Sequence, residues 1–245
     1  MLEIIDLKKQ IGTRMITNGV TLSVPKNKMT VIIGRSGEGK SLLLKQIIGL
    51  VEPTSGQIIL ENQNILTLNS QLKKNVLRRF GYVFQYAALL DSLTIYENII
   101  LPMHGFEITE NEKIKIAEEK IEMVHLNKSV LSLYPSEISG GMKKRVGIAR
   151  TLVTNPEIIL YDEPTTGLDP ITTRVIHELM AEMQKAGVTS LVVSHDIEIF
   201  NYSDHVALLH EGKIVSNSSA NLIWENPDPY VQQFIRGLSG GPIIN

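Results

Sequence analysis

The chain contains no cysteine. Disulfides, thiolate nucleophiles and cysteine-ligated metal sites are therefore excluded. A basic excess is also missing: 24 Lys and Arg stand against 26 Asp and Glu, a net charge of −2. No surplus of cations is available to track a phosphate backbone, which argues against nucleic acid as a partner. The longest basic cluster, Lys143-Lys144-Arg145, is too short to change that. A third absence is any run of about 18 uncharged apolar residues, so no segment reads as a membrane span. The opening residues MLEIIDLKKQ carry Glu3 and Asp6 beside a short apolar run and do not read as a signal peptide. If the protein serves a membrane, another chain supplies the span.

What remains is 245 residues, 43% hydrophobic and 20% charged, enough for one large domain with a sizeable core. Residues 2–7 and 20–24 read as strands of a small β layer. The run 30–33 is short, β-branched and ends at a glycine, as a buried parallel strand should. Residues 41–50 read as a helix stopped by Gly49 and Pro53, and SGQIILENQNI as a strand between turns. The segment from about 86 to 155 has a different texture and reads as a helical lobe inserted into an α/β core. Within it, residues 110–126 put Ile114, Ala117, Ile121 and Val124 on one helical face. The α/β rhythm then returns. EIILYDEP is a strand, Asp169-Pro170 opens a helix through Val175, Leu179 and Met183 that Gly187 ends, and VTSLVVSHD is a buried strand. HVALLHEGKIVS is a hairpin around Glu211-Gly212. A C-terminal extension, about 222–245, holds a last short helix with Tyr230, Val231, Phe234, Ile235 and Leu238 facing inward.

GRSGEGKS follows a strand and opens a helix, and it fits the phosphate-loop spacing G-x-x-x-x-G-K-[ST]. The residues Gly34, Arg35, Ser36, Gly37, Glu38, Gly39, Lys40, Ser41 and the following Leu42 are the expected nucleotide-binding segment. Glycines let backbone N–H groups point inward at phosphates, and the helix N-terminus adds partial positive charge. In such loops the lysine, here Lys40, reaches the β- and γ-phosphates, and the hydroxyl of Ser41 ligates Mg²⁺. Asp162 and Glu163 stand together at the end of an apolar strand, an arrangement that is costly unless a cation is near. Asp162 suits Mg²⁺ bound through water, and Glu163 suits a general base. Gln85 follows an apolar run at the entrance to the lobe, where its amide could touch both Mg²⁺ and the lobe. His195 ends a buried strand, where it could serve the core or donate to a γ-phosphate. A second glycine-rich helix start, ISGGMKKRVGIAR, offers Ser139, Gly140 and Gly141 ahead of an apolar stripe at Met142, Val146, Ala149 and Val153. It reads equally as a plain cap and turn or as a second anion-binding mouth.

These pieces, in this order, resemble the ATP-binding cassette family over essentially residues 1–220. The resemblance implies an α/β fold: a P-loop NTPase core with an N-terminal antiparallel β layer and an inserted helical subdomain, all one domain. It identifies the phosphate loop at 34–41, the Q-loop at Gln85, the signature at 139–142, the carboxylate strand at 158–163, the D-loop at 167–169 and the switch histidine at His195. It implies an ATPase using ATP and Mg²⁺, with Glu163, His195 and Gln85 in the catalytic set and Ser41, Gln85 and Asp162 around the metal. It also implies a head-to-tail dimer. Each ATP then lies between Lys40 of one copy and Ser139, Gly140 and Gly141 of the other, with Asp169 alongside. Three positions depart from the family pattern: Met142 closes the signature in place of glutamine, Leu42 replaces the frequent threonine, and Ile11 stands where an aromatic commonly stacks on adenine.

The stretches GKSLLLKQIIGL, FQYAALLDSLTIYENI, ISGGMKKRVGIAR and DPYVQQFIRGLSGGPI are similar to the ATPase subunits of Mla-type transporters, which move phospholipids. That likeness implies an integral permease in the inner membrane, an MCE-domain lipid-binding protein and, in some systems, a STAS-domain protein. The chain would sit on the cytoplasmic face of the inner membrane, and its tail would help to hold the neighbouring copy. The alternatives are the ATPase of a transporter for amino acids or hydrophobic drugs, a soluble cassette acting on DNA or ribosomes, and a non-hydrolysing scaffold. The missing second cassette speaks against the soluble kind, and the presence of Lys40, Asp162, Glu163 and His195 against the scaffold.

Overall fold

The computed structural model describes residues 1–243; positions 244 and 245, the end of the predicted tail, lie outside the described residues. β1 (Leu2–Ile11) and β2 (Arg14–Val24) form an antiparallel hairpin. With β4 (Ser55–Leu60) and the short β5 (Gln63–Asn64) they make a sheet of order β2-β1-β4-β5. Both long strands run well past the predicted 2–7 and 20–24. The reason lies at Asp6, whose φ of 46° makes an irregularity between Ile4 and Leu7. It moves the buried side chains from even positions (Leu2, Ile4) to an odd one (Leu7), which breaks the period of two that marks a strand in sequence.

The second sheet has six strands in the order β10-β9-β3-β8-β7-β6. These are β3 (Met29–Ile33), β6 (Phe80–Val83), β7 (Ile158–Asp162), β8 (Thr189–Val193), β9 (His205–His210) and β10 (Lys213–Ser219). All pair in parallel except β10, which returns beside β9 as the predicted hairpin. Its turn residues Glu211 and Gly212 both have positive φ, as a two-residue primed turn requires. The central strands are buried on both faces, so they read as continuous apolar runs. Alternate residues nonetheless serve two cores. Ile32, Leu160, Leu191 and Val193 face the antiparallel sheet, with α1 (Lys40–Ile47) contributing Leu43, Leu44 and Ile47. Val31, Ile33, Ile159, Tyr161 and Val192 face the opposite way, toward the helices.

Between β6 and β7 lie α3 (Ile95–Ile100), α4 (Glu110–Met123) and α5 (Gly140–Leu152), joined partly by short 3₁₀ turns. α4 begins in a capping box of Thr109 and Glu112 and buries Ala117, Ile121 and Val124. Ile114 departs from expectation and is exposed, because the core-facing line runs instead through Lys120 and the half-buried Ile116. α2 (Ser70–Leu77), which carries no buried residue, has no apolar stripe for the sequence to reveal. α1 stops at Ile47, short of the predicted Leu50. Gly49, at φ 72°, lets the N–H of Leu50 turn back to the Lys45 carbonyl. α6 (Pro170–Lys185) runs from the Asp169 cap and buries Ile176, Leu179 and Met183. In the tail, α7 (Pro229–Arg236) folds onto its own domain through Val231 and Ile235. Leu238 is exposed, contrary to expectation, because Gly237 ends the helix in the left-handed region and redirects the chain.

The parallel register decides where chemistry can occur. Ile32 pairs with Val193, Val193 with Asp162, and Tyr161 with Val83. Gly34, Gln85, Glu163 and His195, each a step or two beyond those residues, therefore leave the sheet along one carboxyl edge, where open α/β sheets bind ligands.

Candidate functional site

The loop from Gly34 to Gly39 links β3 to α1. Gly34 has φ 155° and sits so close to β9 that a Cβ would lie 2.4 Å from the Leu209 carbonyl oxygen. No other residue fits there. At the loop's far end the buried Lys40 folds back and donates from Nζ to the carbonyls of Gly34 (2.7 Å) and Arg35 (2.9 Å). Glu163 Oε1 lies 3.9 Å from the same ammonium. Burial lowers the Lys40 pKa from its ordinary value, and the charges of Glu163, Glu38 and Asp162 oppose that shift.

Beside the lysine, Ser41 Oγ donates to Asp162 Oδ1 at 2.6 Å, and Tyr82 Oη donates to Asp162 Oδ2 at 2.9 Å. Burial and the neighbouring carboxylate push the Tyr82 phenol well above its usual range, so it stays a donor. Tyr82 was not singled out from sequence; its place beside Asp162 follows only from β6 pairing with β7. Glu163 has φ 49°, a left-handed conformation that costs a non-glycine residue about 1–2 kcal/mol. Its N–H bonds to the Val193 carbonyl (2.9 Å), which turns the carboxylate out of the sheet edge. There Oε2 meets His195 Nδ1 at 2.7 Å and accepts from Thr166 Oγ1 at 3.3 Å.

The phosphate loop, Gln85, Glu163, Thr166 and His195 line one cleft of about 570 Å³, and Phe234 of α7 completes its wall. Thr166 and Phe234 were not foreseen. Ser41 and Asp162 offer hard oxygen donors, and among the described residues no cluster of three or more His, Asp or Glu forms a metal cage. That sparse oxygen set suits Mg²⁺, which keeps waters and phosphate oxygens as its remaining ligands.

Gln85 lines the cleft while its backbone is held by the lobe. Lys144 Nζ donates to its carbonyl, and Arg150 donates to the carbonyls of Ala87 and Ala88, each at 2.7 Å. Burial lowers the Lys144 pKa, with the charge of Glu163 opposing. Lys144, near the start of α5, and Arg150, in its last turn, thus pin the segment after β6.

The second glycine mouth lies elsewhere. Ser139 Oγ accepts from the Met142 N–H at 3.3 Å, and Ser139 and Gly140 are exposed. Gly140 lines a separate cleft of about 360 Å³ with Tyr86, Pro135, Lys143 and Gly167. Gly141 packs so closely on α6 that a Cβ would lie 2.5 Å from Thr172 Cγ2. Asp169 caps α6, accepting from the N–H groups of Ile171 and Thr172 at 3.0 Å each. None of residues 139–141, nor Asp169, lines the phosphate-loop cleft of its own chain. Glu38 turns away from that cleft toward His210, and Arg14, Met15 and Ile16 form the adjoining recess. Ile11 lies outside that recess, 55% exposed at the β1–β2 turn.

The profile of the ABC transporter family matches residues 17–166. The intermembrane phospholipid transport system ATP-binding protein MlaF of Escherichia coli K12 is 37% identical over 235 residues, 95% of this chain and 87% of that protein. The methionine import ATP-binding protein MetN of Rhizobium johnstonii is 38% identical over 224 residues, 91% of this chain and 62% of that protein. Among solved structures, the dimeric post-hydrolysis state of the ATP-binding cassette MJ0796, bound to ADP and Pi, superposes with a TM-score of 0.82 at 30% identity. It covers 90% of this chain and 99% of that one. Sequence profile, relatives and cassette fold agree: the chain belongs to the ABC transporter family, as an ATP-hydrolysing subunit.

Proposed function

We propose that the chain works as a head-to-tail dimer under a membrane-embedded permease, hydrolysing Mg-ATP to drive phospholipid movement. The observation that carries the dimer is the separation of its two glycine mouths. One opens into a cleft with Lys40, Glu163 and His195, and the other faces solvent beside Gly167. A second copy in reversed orientation brings the N–H groups of the exposed Gly140 and the half-buried Gly141 onto the γ-phosphate that Lys40 holds from below. Support comes from the cassette of similar fold whose structure is described as dimeric with ADP and Pi.

In this reading Lys40 exchanges its two loop carbonyls for phosphate oxygens. Ser41, Asp162 and Gln85 would hold Mg²⁺, which would neutralise charge on the phosphates. Glu163 Oε2 accepts a proton from the attacking water while the water oxygen bonds to the γ-phosphorus. The bond from that phosphorus to the ADP oxygen breaks, giving ADP and phosphate. His195 and Thr166 orient the Glu163 carboxylate, and the strained backbone at Glu163 keeps it aimed at the cleft. Loss of the γ-phosphate removes what the partner's amides grip, so the dimer opens. The groove between the sheet and the lobe, with half-exposed Phe84 and Phe106 beside Arg78 and Arg150, suits a helix of the permease. Among the described residues no helix is long and apolar enough to cross a membrane, which fits a peripheral subunit.

The lipid substrate rests on the phospholipid-transport relative, which matches almost the whole chain. The methionine-import relative is as similar in identity but is a longer protein. Replacing Glu163 by Gln tests the chemistry. Hydrolysis should fall at least about 100-fold while ATP still holds dimers together; unchanged turnover removes Glu163 from the role of base. Purifying the complex from native membranes tests the cargo. Phospholipid and an MCE-domain protein should accompany it, and a periplasmic amino-acid receptor in their place would favour the second reading.

A further inference from the structure

The family motifs leave α7 without a task, yet it reaches the phosphate loop by two routes. Asp228 caps the helix, its Oδ1 accepting from the N–H groups of Tyr230 (2.8 Å) and Val231 (3.3 Å). Val231 and Ile235 anchor one face in the core. Tyr230 and Phe234 lie one turn apart on a neighbouring face. Phe234 is a wall of the cleft that also contains Gly34, Lys40 and Ser41. Tyr230 packs its ring on His210, with centroids 5.3 Å apart. His210 Nδ1 in turn lies 3.1 Å from Glu38 Oε1, and Glu38 Oε2 accepts the Glu211 N–H at 2.7 Å. The His210 and Glu38 side chains are only 13% and 14% exposed. The tight turn at Glu211-Gly212 is what aims that N–H at the loop. The tail beyond α7 is fastened too: Gln233 exchanges hydrogen bonds with the backbone of Ile243 at 2.7 and 3.0 Å.

Glu38 is the oddity in this arrangement. A carboxylate in a loop built to receive a triphosphate repels its ligand unless it is held aside and hydrogen-bonded elsewhere. His210 and the Glu211 N–H do so, and Tyr230 fixes the imidazole that does it.

We propose that α7 is a positioning element of the nucleotide site: through His210, Tyr230 holds the Glu38 carboxylate away from the phosphates, and Phe234 walls the cleft beside them. The inference rests on the phosphate loop being the ATP site. It makes the seating of the C-terminal helix a determinant of nucleotide affinity, so that whatever grips the tail is felt at the loop.

The test measures binding of a fluorescent trinitrophenyl ATP with Mg²⁺ to the full chain, together with KM and kcat of the assembled complex. His210→Ala and Tyr230→Ala should each weaken binding about fivefold or more and raise KM, with kcat at saturating ATP largely kept. Adding Glu38→Gln to His210→Ala should restore affinity, because the repelling charge is gone; a merely structural loss would not be rescued. Tyr230→Phe keeps the ring and should rescue relative to Tyr230→Ala. Native-like affinity in His210→Ala, or failure of Glu38→Gln to rescue it, overturns the proposal. Thermal melts identify a variant that fails to fold, and the remaining one of the pair then decides. Lys40→Ala separates the two readings. If it binds the probe as well as the native chain does, the ATP site itself is wrongly assigned; if it loses binding while His210→Ala does not, only the role of α7 falls.

Discussion

The heads of α1 and α5 look alike in sequence, each a pair of glycines before an apolar stripe, and differ in almost every physical respect. α1 begins at Gly39, which offers no side-chain cap, so its first N–H groups are left for a ligand. Around them stand a buried lysine and the carboxylates of Asp162 and Glu163. α5 is capped by its own Ser139, whose side chain accepts the Met142 N–H. One mouth has a buried lysine and the two carboxylates proposed to serve the metal and the attacking water; the other has backbone amides, a lysine at its rim and one hydroxyl already bonded to its own helix. A site that catalyses needs the first kind, whereas a site that clamps needs only the second. In the proposed head-to-tail dimer, this division accounts for a single chain carrying both.

The comparison breaks most visibly at Lys40. Lys40→Ala removes the buried ammonium of the cleft, and nucleotide binding and turnover should both fall at least about 100-fold, read by equilibrium binding and phosphate release. Gly140→Asp is the counterpart at α5. No atom lies within 4 Å of the position a Cβ would take at Gly140, so the substitution costs no packing. A carboxylate in the first turn favours the helix dipole by about 0.3–1 kcal/mol, so the melting temperature should hold or rise. The same charge repels a phosphate arriving from a second copy. Turnover should therefore drop by roughly tenfold or more while a lone chain binds ATP normally, each tenfold corresponding to about 1.4 kcal/mol. Equal loss of single-chain affinity would mean that both mouths serve one chain's nucleotide.

The difference between the two heads also marks what could be read in advance. The phosphate loop was legible because its function depends on residues spaced locally, Gly34 to Ser41. The strands carrying Asp162 and His195 were legible as short apolar runs. What was hidden depends on contacts far along the chain. Tyr82 meets Asp162 only because β6 lies beside β7, and Lys144 reaches back to Gln85 from the far side of the lobe. Phe234 was recognised as an inward residue, but nothing local told that inward meant the nucleotide cleft. Ile114 and Leu238 were misplaced because helical period alone does not say where a neighbour ends or where a glycine turns the chain.

Lys144 sharpens the contrast by a smaller step. Methionine keeps most of its apolar length but leaves the Gln85 carbonyl without its partner. Lys144→Met should cost about 1.5 kcal/mol, the lower end for a hydrogen bond from a charged donor, because the acceptor is only half-buried. Urea melts should reveal it, and turnover should fall severalfold through the loosened Gln85 segment.

Ser139→Ala gives the smallest effect and the finest discrimination. Its hydroxyl accepts the Met142 N–H at 3.3 Å, a long bond on an exposed residue. Losing an N-cap of this kind costs about 1 kcal/mol, or about 2–4 °C in melting temperature for a chain of this size. If capping is the hydroxyl's whole purpose, Ser139→Gly should retain most of that stability and turnover should follow stability in both variants. If the hydroxyl also serves a phosphate from the other copy, Ser139→Gly should turn over ATP far more slowly than its near-native melting temperature suggests. Turnover and melting measured on the same two variants separate a cap from a clamp.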